Sequence, residues 1–185
     1  MPRIDLVNRE QATGKARQLL DAVHKKFGRV PNITAVLANA PAALDGYLSL
    51  SGALAGGRLS PALREQIAIT VAAANSCDYC LAAHSAIAES LGVSPEARRA
   101  AQRAEAGDPT TAAALQLARR IVETRGFVDT EDLRQARAAG LGDGEILEVL
   151  GAVVVNIFTN YTNHIAETEI DFPAVERDES LIAAR

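Results

Sequence analysis

Apolar positions recur along this chain at steps of three and four residues, and no segment alternates apolar and polar as a half-buried strand would. Leu19, Leu20, Val23 and Phe27 share one helical face that Gly28 closes. Asn32 is placed to cap a short helix running into Asn39. Pro41 opens the next helix, which carries Leu44, Tyr47, Leu48 and Leu54 and ends at Gly56-Gly57. Ser60-Pro61 supplies a cap and a first helical residue, and the helix that follows should reach about Asn75. Its stretch 67–74 is apolar on every side, the mark of a central, buried helix. Ser76 is expected to cap a helix beginning at Cys77 and stopped by Gly92. Ser94-Pro95 opens another that ends near Gly107, and 109–125 and 130–139 make two more, the second closed by Gly140. The last helix should start at Asp143 and run past Asn163. On it Ile146, Leu150, Val153, Ile157, Tyr161 and His164 form one stripe, with Asn156, Asn160 and Asn163 on a polar stripe beside it. Pro173 marks the end of regular structure. The expected organisation is a lead-in and first helix over 1–29, a helical domain over 30–173, and a frayed or arm-like tail over 174–185.

Composition points the same way. A chain of 185 residues is enough for one domain with a real core. Apolar residues make up 48% of it but aromatic ones only 4%, so alanine fills the difference. Small side chains favour helices that approach closely, and alanine is the strongest helix former and a poor strand former. The fold class is therefore all-α. The net charge of -4 and the absence of a basic run exclude a nucleic-acid partner. The apolar run 149–155 is too short to span a bilayer, which excludes a membrane role, and no apolar signal segment follows Met1. A cytoplasmic location is the expectation.

The chemistry sits in the two cysteines, Cys77 and Cys80. In a reducing compartment a close pair is more often redox or metal chemistry than a structural staple. On a helix from Cys77, positions 77, 80 and 84 share one face, so both sulfurs and the His84 imidazole point the same way. Cys77 in the first turn has a thiolate-stabilising helix dipole, and Cys80 has His84 four residues on as a proton acceptor. A peroxide-reducing thiol needs a thiolate, a proton for the leaving oxygen, and a second thiol to trap the sulfenic acid. Cys80, His84 and Cys77 can supply these, and a short link at Asn75-Ser76 would swing Glu65 alongside His84. On the residues alone, Cys77 is also a candidate nucleophile. Cys77, Cys80, His84 and Glu65 have the donor types for zinc, but structural zinc sites usually carry a second Cys/His pair elsewhere. His164 reads as a core or interface residue, and His24, Lys25 and Lys26 as a solvated helix face. The asparagine stripe is either a buried polar network or a subunit contact. With it, Tyr47 and Phe158 are candidates for lining the site.

The pattern Glu65-x11-Cys77-x2-Cys80-x3-His84 resembles the active site of the alkyl hydroperoxidase D-like proteins of the carboxymuconolactone decarboxylase superfamily. The residues around Leu59-Ser60-Pro61, the run from Phe158 to His164, and the closing Glu169-Ile-Asp-Phe-Pro173 are similar as well. The resemblance implies a single-domain helical bundle whose central hairpin carries the CxxCxxxH motif, assembled as a homo-oligomer, a trimer or hexamer. It implies that Cys80 is the peroxidatic cysteine and Cys77 the resolving one, with Glu65 and His84 moving protons, and Tyr79, Asn163 and His164 near the site. No metal or organic cofactor is implied. The substrate would be a peroxide, and the reductant a lipoyl-bearing or thioredoxin-like protein. The founding peroxidase has a histidine where Tyr79 stands, so the proton relay here should be shorter and turnover modest. Two other activities fit the same residues: a thiol-disulfide oxidoreductase or redox sensor without peroxidase turnover, and a decarboxylase-like non-redox enzyme, although the decarboxylases lack the cysteine pair.

Overall fold

The computed structural model describes residues 2–178, and among these it contains helices and no strand. The helices are α1 (Gly14–Phe27), α2 (Asn32–Leu37), α3 (Pro41–Ala55), α4 (Pro61–Ala74), α5 (Asp78–Ser90), α6 (Pro95–Gln102), α7 (Pro109–Thr124), α8 (Thr130–Ala138) and α9 (Asp143–Ala166). Local sequence explains most starts. Ser60, Ser94, Asp108 and Asp129 each accept a hydrogen bond from the backbone N–H three residues on, and proline occupies the first turn of α3, α4, α6 and α7.

α4 is the central element, packed against α5, α6, α7 and α9. Ile67, Ile69 and Val71 are fully buried in it, as a helix apolar on all sides requires. α4 and α5 form an antiparallel hairpin, fastened where the Cys77 N–H donates to the Ala72 carbonyl. α9 approaches α3 closely at Gly151, where a Cβ would lie 2.9 Å from a Leu54 methyl. Its Glu148 carboxylate accepts from the backbone N–H groups of Arg58 and Leu59, and a Cβ on Gly57 would meet that carboxylate at 2.5 Å.

Several expectations shift. Asn32 is the first residue of α2 rather than its cap, and its side chain donates to the Glu169 carbonyl instead. α6 stops at Gln102, short of Gly107, because Ala104 turns left-handed and Thr70 of α4 takes the Ala101 carbonyl. Ser76 does not cap α5. It is itself left-handed (φ 59°), and Cys77 is the cap. On α9 the stripe through Tyr161 and His164 is not the buried one; the buried face is Val149, Ala152, Val153, Asn156, Thr159, Asn160 and Asn163. Each inward asparagine makes at least one bond: Asn156 donates to the Ala152 carbonyl, Asn160 accepts from Asn75 at 2.9 Å and Asn163 donates to the Cys80 sulfur, while Asn160 Nδ2 and Asn163 Oδ1 are buried without a partner among the described residues.

Regular structure ends at Ala166, not Pro173, and the chain then runs back across the bundle. Asp171 is held by Arg29, Tyr79 and the Asn32 N–H, and Arg177 binds Asp78 and the Ser76 carbonyl. The first part of the expected free tail is therefore tied down through Asp178, and 179–185 lie outside the described residues. Among the described residues no helix is long and apolar enough to cross a membrane.

Candidate active site

Because Cys77 caps α5, its sulfur accepts a hydrogen bond from the Cys80 N–H at 3.3 Å. Cys80 thereby occupies the first turn of α5, so the helix-dipole argument that favoured Cys77 on sequence applies to Cys80. Both are free cysteines, each 2% exposed, and their sulfurs are 2.6 Å apart. From α9, Asn163 donates its side-chain amide to the Cys80 sulfur at 3.2 Å and to the Cys77 sulfur at 3.9 Å.

These contacts polarise the pair. The Cys80 thiol is held below its ordinary range by the hydrogen bond from Cys77, and burial opposes this. Asn163, Asn160 and Thr159 add to the lowering. The Cys77 thiol is pushed up by its bond to Cys80, by burial and by the Cys80 charge. Both shifts run the same way and make Cys80 the more acidic thiol of the pair.

Glu65 of α4 and His84 of α5 meet across the hairpin, with His84 Nδ1 2.7 Å from Glu65 Oε2. Burial by itself would lower the His84 pKa. The Glu65 charge and hydrogen bond lead the causes that outweigh it, and the pKa is raised. No hydrogen bond joins His84 to either sulfur among the described residues. The Cys80 sulfur faces Cys77 and Asn163 instead of the acceptor expected four residues on. With Nδ1 turned to Glu65, the two cysteines, His84 and Glu65 do not converge. No group of three or more His, Cys, Asp or Glu among the described residues is arranged to hold a metal.

Cys80 and His84 do share a cavity of about 220 Å³. Cys80, Thr159 and Asn163 form its buried floor, Ile33, Tyr47, Leu48, Ile87 and Phe172 its walls, and the exposed Lys26, Phe27 and Arg29 its mouth. The Tyr47 hydroxyl is pushed up to about 12 by burial and by the Glu65 and Cys80 charges, so it stays protonated as a donor. A larger cleft of about 620 Å³ between α5, α6 and the C-terminal segment contains neither cysteine nor His84. The smaller cavity is the one with chemistry in it.

The other sequence candidates divide. Asn163 is in the site and Asn160 just behind it. Tyr79 lines the cavity, but its hydroxyl points away from the sulfurs. It donates to Asp171 Oδ1 at 2.7 Å and accepts from the Ile33 N–H at 3.2 Å, with its ring edge-on to Phe172. Burial pushes its pKa up, so it stays neutral. His164 is not in the site. It lies on the exposed side of α9, stacked on Tyr161, because one helical step rotates it away from Asn163. Phe158 is likewise outward, at 39% exposure. Sequence reasoning took Lys26 for part of a solvated helix face, noted Asp171 and Phe172 only within the closing stretch that carries the resemblance, and missed Arg29 altogether. The fold alone brings them to α5.

The model of the carboxymuconolactone decarboxylase family matches residues 41–122, which hold α3 through most of α7. No curated protein matches significantly. Among solved structures, an uncharacterized peroxidase-related protein from Ralstonia eutropha JMP134, described as an alkylhydroperoxidase AhpD core, superposes with a TM-score of 0.83 at 23% identity, covering 92% of both chains. A peroxidase-related protein from Silicibacter sp. TM1040 gives 0.79 at 21% identity, over 90% of this chain and 89% of the other. The debrominase Bmp8, solved as a cysteine-to-alanine variant with 2,3,4-tribromopyrrole, gives 0.78 at 18% identity over 91% of both.

Proposed function

We propose that this chain, matched over residues 41–122 by the carboxymuconolactone decarboxylase family and sharing the alkyl hydroperoxidase D-like fold, reduces hydroperoxides through a dithiol–disulfide cycle at Cys77 and Cys80. The observation that carries this is the cysteine pair at the floor of a cavity, with the Cys80 sulfur accepting a hydrogen bond from Asn163 and the Cys77 sulfur against it. The Cys80 sulfur attacks the terminal oxygen of the hydroperoxide and the O–O bond breaks. The departing alkoxide takes a proton from His84, whose charged form Glu65 stabilises. Cys77 then attacks the Cys80 sulfenic acid. Water leaves with the Cys77 proton, and a disulfide forms. The two sulfurs already lie against each other at the start of α5, so closure joins atoms that are neighbours in the reduced protein. Two electrons and two protons from an external dithiol reset the pair. A lipoyl-bearing or thioredoxin-like protein fits this role, and the narrow access to the buried sulfurs favours the slender lipoyl arm. A reduced resting pair suits the cytoplasm.

Burial at 2% exposure also favours a small oxidant over a bulky protein disulfide. The test is to give reduced protein one equivalent of organic hydroperoxide and count free thiols. Loss of both thiols, with peroxide consumed far faster than by a small free thiol and both restored by dithiol, is the expected result. Peroxide loss no faster than with the free thiol would move the pair to disulfide exchange or sensing.

A second reading follows from Bmp8. The cavity, with Tyr47 and Phe172 in its walls, has room for one aromatic ring, and the same pair could remove bromine from a bromoarene. Two thiols would become a disulfide while the ring gains hydrogen and bromide leaves. Bromide release from a bromopyrrole, measured beside peroxide turnover, separates the two.

Self-association belongs to the same proposal. Leu147, Leu150, Val154, Phe158, Tyr161 and Ile165 make a continuous apolar stripe on the outer side of α9, with Leu147 66% and Ile165 64% exposed. Such a stripe on a chain of this size is suited to burial against further copies, a trimer or hexamer.

A further inference from the structure

We propose that the cavity selects compact hydroperoxides carrying an anionic group, a carboxylate above all, which Lys26 and Arg29 hold at the mouth while the peroxide reaches Cys80. This deepens the hydroperoxide reading and rests on it. The basic side chains lining the cavity are Lys26, Arg29 and His84, and none of its lining residues is Asp or Glu; Arg29 is paired with Asp171 and His84 with Glu65, which leaves Lys26 as the lining cation without a carboxylate partner among the described residues. On a chain of net charge -4, a mouth of that sign is against the trend of the surface. A cationic rim over low-dielectric walls focuses field on an approaching anion.

The two cations are set differently. Lys26 is exposed, has no carboxylate partner among the described residues, and lies over the Phe27 ring at 5.3 Å. Gly28, at φ 72°, ends α1 and turns the chain so that Arg29 follows onto the same rim. Arg29 is fixed by Asp171 at 2.7 Å and lies over the Phe172 ring at 4.3 Å, with 43% of its side chain still exposed. A fixed guanidinium and a free ammonium therefore flank one apolar entrance.

Size limits what can follow. A cavity of about 150 Å³ holds benzene, so about 220 Å³ holds one ring with a short substituent and excludes a folded long acyl chain. The carboxylate takes no part in the chemistry. The sulfur takes the terminal oxygen, and the alcohol that leaves keeps its carboxylate.

The test is single-turnover reaction of the reduced full-length protein, without reductant, with cumene hydroperoxide and with its para-carboxylated form at neutral pH. The expected result is an about threefold to fivefold faster second-order rate for the carboxylated substrate, the weight of one partly screened ion pair. That ratio should fall towards one in Lys26→Gln, fall below one in Lys26→Glu, and shrink with added salt. Cys80-dependent turnover with a ratio near one, unmoved by Lys26→Glu, would overturn this inference and leave the peroxidase reading standing. A separate measurement needs no turnover: shielding of Cys80 from iodoacetamide by para-isopropylbenzoate but not by the neutral para-isopropylbenzamide. Shielding without any peroxide consumption would remove the peroxidase reading while upholding the anionic preference of the cavity. Equal shielding by both would count against the preference.

Discussion

Asn163 donates its side-chain amide to the Cys80 sulfur at 3.2 Å from a helix 83 residues further along the chain. This bond stabilises a thiolate by a neutral donor placed in a dry site, where a hydrogen bond to a charged group is worth more than one between neutral groups. Removing the donor in Asn163→Leu should slow Cys80 alkylation at neutral pH about tenfold, the weight of one such bond at about 1.5 kcal/mol. The pH profile of iodoacetamide labelling checks it. An unshifted profile would mean that Cys77 alone polarises Cys80.

The two cysteines should fail differently. Cys80→Ser should abolish fast peroxide consumption. Cys77→Ser should keep the first attack but lose disulfide closure, so Cys80 proceeds to sulfinic acid under excess peroxide. Intact mass after a peroxide titration distinguishes them. A Cys77→Ser protein that shows no first oxidation, beside an active Cys80→Ser, would exchange the two roles.

The pH dependence has two limbs. The lowered Cys80 pKa, caused first by the Cys77 hydrogen bond, keeps the thiolate populated below the ordinary thiol range and sets the acid limb. The raised His84 pKa, in which the Glu65 charge and hydrogen bond lead the terms that outweigh burial, keeps a proton available to the leaving alkoxide and sets the alkaline limb. Glu65→Gln should move that alkaline limb to lower pH. For stability, a histidine whose folded pKa lies above its unfolded value of about 6.5 contributes fully below that pH. Its contribution is lost as pH rises through the folded value. Urea unfolding of wild type and His84→Gln across that window should converge towards the alkaline side.

Tyr79 is a clasp. Tyr79→Phe removes the donor to Asp171 and the acceptor for the Ile33 N–H, and should cost about 1–3 kcal/mol of stability for the buried groups left unpaired. The loss in denaturant midpoint should exceed any loss in single-turnover rate. A variant of wild-type stability with a collapsed rate would instead make Tyr79 a proton carrier.

The outer stripe of α9 should govern assembly. Leu147→Glu with Ile165→Glu places charges on side chains that are 66% and 64% exposed, so the fold of each subunit should survive. Light scattering after gel filtration should show the oligomer reduced to monomer. An unchanged mass would place the subunit contact elsewhere.

The sequence by itself determined the elements. Helix starts at Ser60, Ser94, Asp108 and Asp129 are local hydrogen bonds closed within three residues, so local residue types suffice to mark them. The hairpin that brings Glu65 to His84 was legible for the same reason, since the link between α4 and α5 is short and both helices are regular. What only the tertiary structure decided was everything set by rotation and distance. Whether α9 buries Tyr161 and His164 or the asparagines is not fixed by stripes of similar strength. It turns on whether Asn160 and Asn163 find partners on Asn75 and Cys80 once α9 docks on α4. The cap at Cys77 in place of Ser76 is a difference of one residue, yet it moves Cys80 into the first turn, where the helix dipole favours its thiolate. Lys26 and Arg29 carry no motif, and Asp171 lies in a stretch whose resemblance says nothing of its partners. They meet near Cys80 because α1 and the C-terminal segment converge over α5, a long-range packing outcome that no local pattern encodes.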